Sequence, residues 1–157
     1  MEPNTKKYEI LLIEDNEYDV ELTLRALQKQ NLADKVIVLR DGEEALNYIF
    51  SLGQYLGHKI TYDPKLILLD LKLPKINGFE VLSKLRANAD TKVIPVVMLT
   101  SSNDDRDILH SYDLGVNSYI TKPVNSEKFV MAVSEIGLYW MLLNKPPEIH
   151  SHKGYLN

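Results

Sequence analysis

The 157-residue chain contains no cysteine, which excludes disulfides, thiol catalysis and a thiolate metal centre and fits a reducing compartment. No apolar run approaches the roughly 20 residues needed to span a bilayer, and the opening segment MEPNTKKYEI lacks the apolar stretch of a secretory signal. A cytoplasmic location with no membrane partner is expected. Basic charge is also short: 18 Lys and Arg stand against 22 Asp and Glu, and no basic cluster is interleaved with aromatics. That balance opposes a phosphate backbone, so direct nucleic-acid binding is not expected. There is no internal repeat, no low-complexity tract, and no glycine-rich loop after the first apolar run to cradle a pyrophosphate. The length suits one domain with a full core, without a separate effector domain of ordinary size.

What the chain does have is four apolar runs that stop at chemically active residues. Ile10–Ile13 stops at Glu14-Asp15, Leu66–Leu69 at Asp70, Val96–Leu99 at Thr100-Ser101, and Tyr119-Ile120 is followed closely by Lys122-Pro123. Short apolar runs separated by helical patterns read as buried strands of a parallel sheet. The carboxyl ends of parallel strands open on one crevice, where α/β proteins bind ligands.

The full pattern predicts five βα units. Strands are expected at Glu9–Glu14, Lys35–Leu39, Lys65–Asp70, Ile94–Leu99 and Asn117–Thr121. Asn16 caps a first helix with Val20, Leu24 and Leu27 on its apolar stripe; a second carries Ala45, Leu46, Ile49, Phe50 and Leu52. Phe79–Asn88, a helix capped by Asn103 or Asp104 and running to Leu114, and Ser126–Leu143 complete the set. The expected fold is α/β, a (βα)5 doubly wound five-stranded parallel sheet of flavodoxin-like type. Residues 1–8 read as an N-terminal extension, 9–143 as the domain and 144–157 as a C-terminal tail. The stretch from Gly53 to Pro64 is a longer loop than such units need.

Glu14, Asp15 and Asp70 at neighbouring strand ends would repel one another unless a cation neutralised them. A hard divalent ion is the natural neutraliser, and Mg²⁺ (or Mn²⁺) takes one or two carboxylates and leaves room for a phosphoryl oxygen. Lys122 supplies a point charge for that oxygen, and Thr100 a hydrogen bond. Asp70, on the central strand between the cation and the lysine, is the candidate nucleophile for an aspartyl-phosphate. Taken singly these residues are commonplace: a turn former, a pair of helix-dipole carboxylates, a cap and a surface lysine. Their conjunction at the ends of four strands is not.

At these residues the chain resembles the receiver domains of two-component response regulators, the CheY-like family, over about Ile10 to Leu143. The acidic pair Glu14-Asp15, the segment LILLDLKLPKING, the hydroxyl in VVMLTSS and the lysine in YITKP match in order and spacing. The resemblance implies a metal held by Asp15, Asp70 and the backbone carbonyl of Lys72, with Glu14 acting directly or through water. It implies that Asp70 accepts a phosphoryl group from a sensor histidine kinase, with slow self-phosphorylation and self-dephosphorylation rather than enzymatic turnover. Thr100 and Tyr119 fall at the family's switch positions, with Ser101 beside them in the phosphate-binding set. Lys72 and Ser102 fall where side chains tune phosphoryl lifetime. DILHSYDLGVNSYITKPVN, GLYWMLLNKPP and the long loop resemble more narrowly the stand-alone regulators that partner phytochromes and hybrid sensor kinases.

The last helix carries more apolar surface than one core face requires. Phe129, Val133, Ile136, Trp140 and Leu143 form the expected core stripe; Met131, Leu138 and Leu142, flanked by Tyr139, form a second. With Ile108 and Tyr112 on the preceding helix, this second stripe is an expected homodimer or partner interface, onto which the tail from Lys145 could fold. His58, His110, His150 and His152 are scattered and carry no metal or phosphohistidine context. Two rival readings are a haloacid-dehalogenase-type hydrolase and a phosphorylation-independent scaffold receiver. The first needs a second aspartate two residues after the nucleophile, where this chain has Lys72; the second sits poorly with retention of the whole site.

Overall fold

The computed structural model describes residues 8–57, 64–122 and 125–147. Five strands, β1 (Ile10–Ile13), β2 (Val36–Leu39), β3 (Leu66–Leu69), β4 (Val96–Thr100) and β5 (Ser118–Thr121), form one sheet in the order β2-β1-β3-β4-β5. Every pairing is parallel. Between them lie α1 (Glu17–Gln28), α2 (Gly42–Phe50), α3 (Gly78–Ala87) and α4 (Asp105–Asp113), and α5 (Ser126–Leu138) follows β5.

Side-chain alternation sorts the core into two layers. Leu11, Ile13, Ile67, Leu69, Val96 and Met98 face α2 and α3, while Ile10, Leu12, Leu66, Leu68, Val97 and Leu99 face α1 and α5. Strands buried on both faces need apolar residues at every position, which is why these segments read as unbroken runs. Each fully buried Leu or Ile contributes roughly 1.5–3 kcal/mol of transfer free energy. Each helix begins at an Asn or Asp whose side chain accepts a first-turn N–H: Asn16, Asp41, Asn77, Asp104 and Asn125. Asp104, rather than Asn103, is therefore the cap of α4.

Several boundaries differ from the sequence expectation. Helix α2 stops at Phe50 because Ser51 turns left-handed (φ 56°), which puts Leu52 outside the helix and half exposed. A single 3-10 turn, Gly53–Tyr55, opens the long loop, whose residues 58–63 lie outside the described set. The largest departure is at the end of the chain's last helix. Residues Tyr139–Leu143 form a π-helical turn, closed by the Asn144 N–H donating to the Tyr139 carbonyl at 2.8 Å. A wider turn rotates less per residue, so Met141 swings into the core (8% exposed) and Leu143, expected there, swings out (66% exposed).

Two glycines are required by close approach. A Cβ on Gly42 would collide with the Ile76 carbonyl, and one on Gly78 would collide with the Asp70 carbonyl and sit 2.8 Å from Leu71 Cα. Both therefore let the loop after β3 fold tightly behind the end of the sheet.

Candidate functional site

Strand register builds the site. Ile13 pairs with Leu69, so the next residues, Glu14 and Asp70, emerge side by side; the Asp70 N–H donates to the Ile13 carbonyl at 3.0 Å. Glu14, Asp15 and Asp70 each bring a carboxylate oxygen to within 4.8 Å of the other two. Glu14 is 3% exposed and Asp70 8%, whereas Asp15 opens to solvent. A buried and an exposed wall around three carboxylates is a geometry for a partly hydrated hard cation.

Glu14 supplies the fit test. Its Oε2 is buried with no hydrogen-bond partner, while Oε1 takes the Lys122 ammonium. An orphaned carboxylate oxygen in that position is costly unless a cation completes it. Burial, and next the Asp70 carboxylate, push the Glu14 pKa up to about 8, against the pull of Lys122. The donor set is all oxygen, as Mg²⁺ and Mn²⁺ prefer. The Lys72 N–H points toward Asp70 Oδ1 at 3.5 Å, so the backbone of that loop already lines the site.

Lys122, just past the end of β5, reaches Glu14 and Asp19, the latter at 2.9 Å, and stands 3.8 Å from Asp70 Oδ2. Burial alone would lower its pKa, but Glu14 and Asp19, then Asp70, overcome that and hold the ammonium above the usual lysine value. Lys122 is thus at the site as expected, but its contacts are with Glu14 and Asp19 before Asp70. Thr100 closes β4, fully buried, and its Oγ1 accepts the Ser102 N–H at 3.3 Å. Ser101 is exposed beside it.

Ser102 joins three elements. Its carbonyl accepts the Tyr119 hydroxyl at 2.8 Å, its N–H reaches Thr100, and its own hydroxyl donates to Asp107 Oδ2 on α4 at 2.6 Å. Burial raises the Tyr119 pKa, with nearby Asp107 and Asp104 adding to it, so the phenol stays a proton donor. Thr100 and Tyr119 are therefore linked through one residue that also grips α4.

The sheet brings Glu14, Asp15, Asp70, Thr100 and Lys122 to one end, as the sequence predicts, with Tyr119 packed one strand further out. The predicted interface residues differ in exposure and surroundings. Met131 lines a groove of about 570 Å³ between α1 and α5, together with Leu22, Arg25 and Lys29. Tyr112, Tyr139 and Leu142 are exposed, and Ile108 and Leu138 are half-buried. His110 stacks edge-on against Phe79, with ring centroids 4.5 Å apart. Among the described residues it has no part in the site; the other three histidines lie outside them. Sequence reasoning missed Asp19, Asp107 and Arg86. Asp19 had a signal, since it lies one helical turn after Asp15; Asp107 and Arg86 have none that local pattern reveals.

Arg86, at the end of α3, donates to the carbonyls of Gly115 (2.9 Å), Lys92 (3.0 Å) and Ile94 (2.8 Å) and to Asn117 Oδ1 (2.9 Å). The same Asn117 oxygen accepts the Val96 N–H, so one guanidinium ties the loop after α4 to the start of β4.

Fold and site define a class of signalling proteins. Residues 10–134 match the response regulator receiver domain, and the chain belongs to that family. Among particular proteins, it is 40% identical to Rcp1 of Synechocystis over 132 residues, 84% of this chain and 88% of that one. It is also 40% identical to the probable methanogenesis regulatory protein FilR2 of Methanothrix harundinacea, over 88% of this chain and 86% of the relative. The crystal structure of the phosphorylated cyanobacterial phytochrome response regulator RcpA superposes with a TM-score of 0.82 at 40% identity, covering 90% of this chain and 99% of RcpA. The Mn²⁺-bound form of Rcp1 superposes with a TM-score of 0.80 at 39% identity, covering 88% and 98%.

Proposed function

We propose that this chain is a phosphoacceptor in a two-component relay, with Asp70 as the residue phosphorylated by a sensor histidine kinase. The observation that carries the reading is the convergence of three carboxylates within 4.8 Å, one of them with an orphaned buried oxygen, beside Lys122 and Thr100. Mg²⁺ or Mn²⁺, held by Glu14, Asp15, Asp70 and the Lys72 backbone carbonyl, would neutralise the charge gathered there and on the incoming phosphoryl group. Asp70 needs no general base, because an ionised carboxylate is already the nucleophile. One Asp70 oxygen forms the new P–O bond while the P–N bond to the kinase imidazole breaks; the imidazole leaves with the electron pair and takes a proton. Lys122 and Thr100 then hold phosphoryl oxygens, and self-phosphorylation from small donors and self-dephosphorylation are slow.

The Thr100 hydroxyl, drawn toward the phosphoryl group, pulls on Ser102, and through it on the Tyr119 hydroxyl and on α4. The change is a shift between two packings of the last two helices. It alters homodimer or partner binding through exposed apolar side chains such as Tyr112, Tyr139 and Leu142, and Lys72 and Ser102 tune phosphoryl lifetime. The likeness to the phytochrome response regulator RcpA favours a phytochrome-type or hybrid sensor kinase as partner, while FilR2, at the same identity, carries methanogenesis rather than light in its name. The test is incubation with Mg²⁺ and acetyl phosphate, read on a phosphate-affinity gel. Wild type is expected to shift and Asp70→Asn to stay; a shift of both, or of neither, overturns the assignment.

A further inference from the structure

Lys122 has three carboxylates around its ammonium, and they are not equivalent. Glu14 and Asp70 belong to the cluster that fits a cation; Asp19, on α1, is outside it. Asp19 is nevertheless the nearer of the two remaining partners, at 2.9 Å against 3.8 Å for Asp70. Its place is fixed by its own helix. The Asp19 N–H donates to the Asn16 cap at 3.0 Å, and its carbonyl accepts the buried Thr23 hydroxyl at 2.8 Å. A carboxylate in the first turn also suits the helix dipole, so Asp19 has its place on α1 whether or not the lysine is beside it. The partner free to move is the flexible four-carbon stem of Lys122.

We propose that Asp19 is a resting-state holder of Lys122, a positioning residue that competes for its ammonium with the phosphoryl group on Asp70. The proposal rests on the phosphoacceptor reading above. A 3.8 Å separation exceeds the roughly 2.7–2.9 Å of a charge-assisted hydrogen bond, so in the resting protein Asp70 attracts the lysine without hydrogen-bonding it, whereas Asp19 does hydrogen-bond it. Phosphorylation adds charge on the Asp70 side, and the lysine is drawn from one anion toward the other. The contact given up joins the end of β5 to the first turn of α1, so phosphorylation also unlinks α1 from β5.

The competition is testable with beryllium fluoride and Mg²⁺, which place a non-hydrolysing phosphoryl mimic on a carboxylate. Asp19→Asn is expected to lower the melting temperature of the resting protein but not of the loaded protein, and to tighten beryllium fluoride binding about fivefold, the ratio for losing one partly exposed ion pair. Asp19→Glu, which keeps the charge, is expected to return the affinity toward wild type. Asp19→Ala, read in the same way, serves if the asparagine variant does not fold. Equal loss of melting temperature in both states with unchanged or weaker affinity assigns Asp19 a structural role and overturns the proposal. Failure of wild type to bind, or equal binding by Asp70→Asn, overturns the phosphoacceptor reading instead, and this proposal with it.

Discussion

Strands β3 and β5 end at the same crevice but are built to different standards. All four residues of β3 are buried, and Asp70 follows directly from that packed strand. Strand β5 is the edge of the sheet, none of its residues is fully buried, and the neighbouring helix α4 buries only Ser111. Free energy of local opening follows buried apolar contact, so the β1–β3 side is the rigid half and the α4–β5 side the compliant one. The three clustered carboxylates sit on the first; Tyr119 and the Ser102 contact with α4 sit on the second.

The largest test of this contrast is Leu68→Ala on β3, which leaves a cavity in a fully buried layer. It is expected to cost roughly 2–5 kcal/mol in denaturant unfolding. Next comes Gly78→Ala, whose Cβ has no room against the Asp70 carbonyl; a loss of about 1–3 kcal/mol is expected, with weakened Mn²⁺ binding by calorimetry.

A third test uses pH. Glu14 binds its proton more tightly folded than unfolded, with a pKa raised from 4.5 to about 8. As pH rises through 4.5 the unfolded chain loses that proton first, so metal-free stability is expected to fall until about 8 and then level off. Melting curves across that window check the sign, Glu14→Gln flattens them, and Mg²⁺ raises the melting temperature more at the upper end.

Smaller effects are expected on the compliant side. Ser102→Ala removes the grip on Asp107, and the first-turn amides of α4 are expected to exchange about fivefold faster while β3 is unchanged. Leu109→Ala, at a position 63% exposed on α4, is expected to alter stability by less than about 0.5 kcal/mol. A large loss there, or fast exchange in β3, would break the comparison.

The rigid half was the legible half. Unbroken apolar runs announce buried strands, and a polar residue stopping such a run has to surface at the sheet's end, so Glu14, Asp15, Asp70 and Thr100 could be placed from local pattern alone. What local pattern does not carry is competition between distant groups. The partner of Lys122 depends on how α1 stands against the end of β5, which the residues around Asp19 do not reveal. Leu143 was misplaced because a straight helix projects it onto the core, and one wider hydrogen bond at Tyr139 changes the projection. The surroundings of the expected apolar stripe were hidden for a similar reason. Residues seven apart share a helix face, but which neighbour that face meets is decided by the layer: Met131 meets α1.

Arg86 gives the compliant half a fulcrum. Two of its four hydrogen bonds, to Gly115 and Asn117, hold the segment just beyond the C-terminal end of α4, and the other two, to Lys92 and Ile94, tie that segment to the approach to β4, while Ser102 grips the first turn of α4 through Asp107. A rod pinned at one end swings rather than slides. Under the proposed switch, a pull delivered at Ser102 would tilt α4, most beside Tyr119 and least toward Gly115.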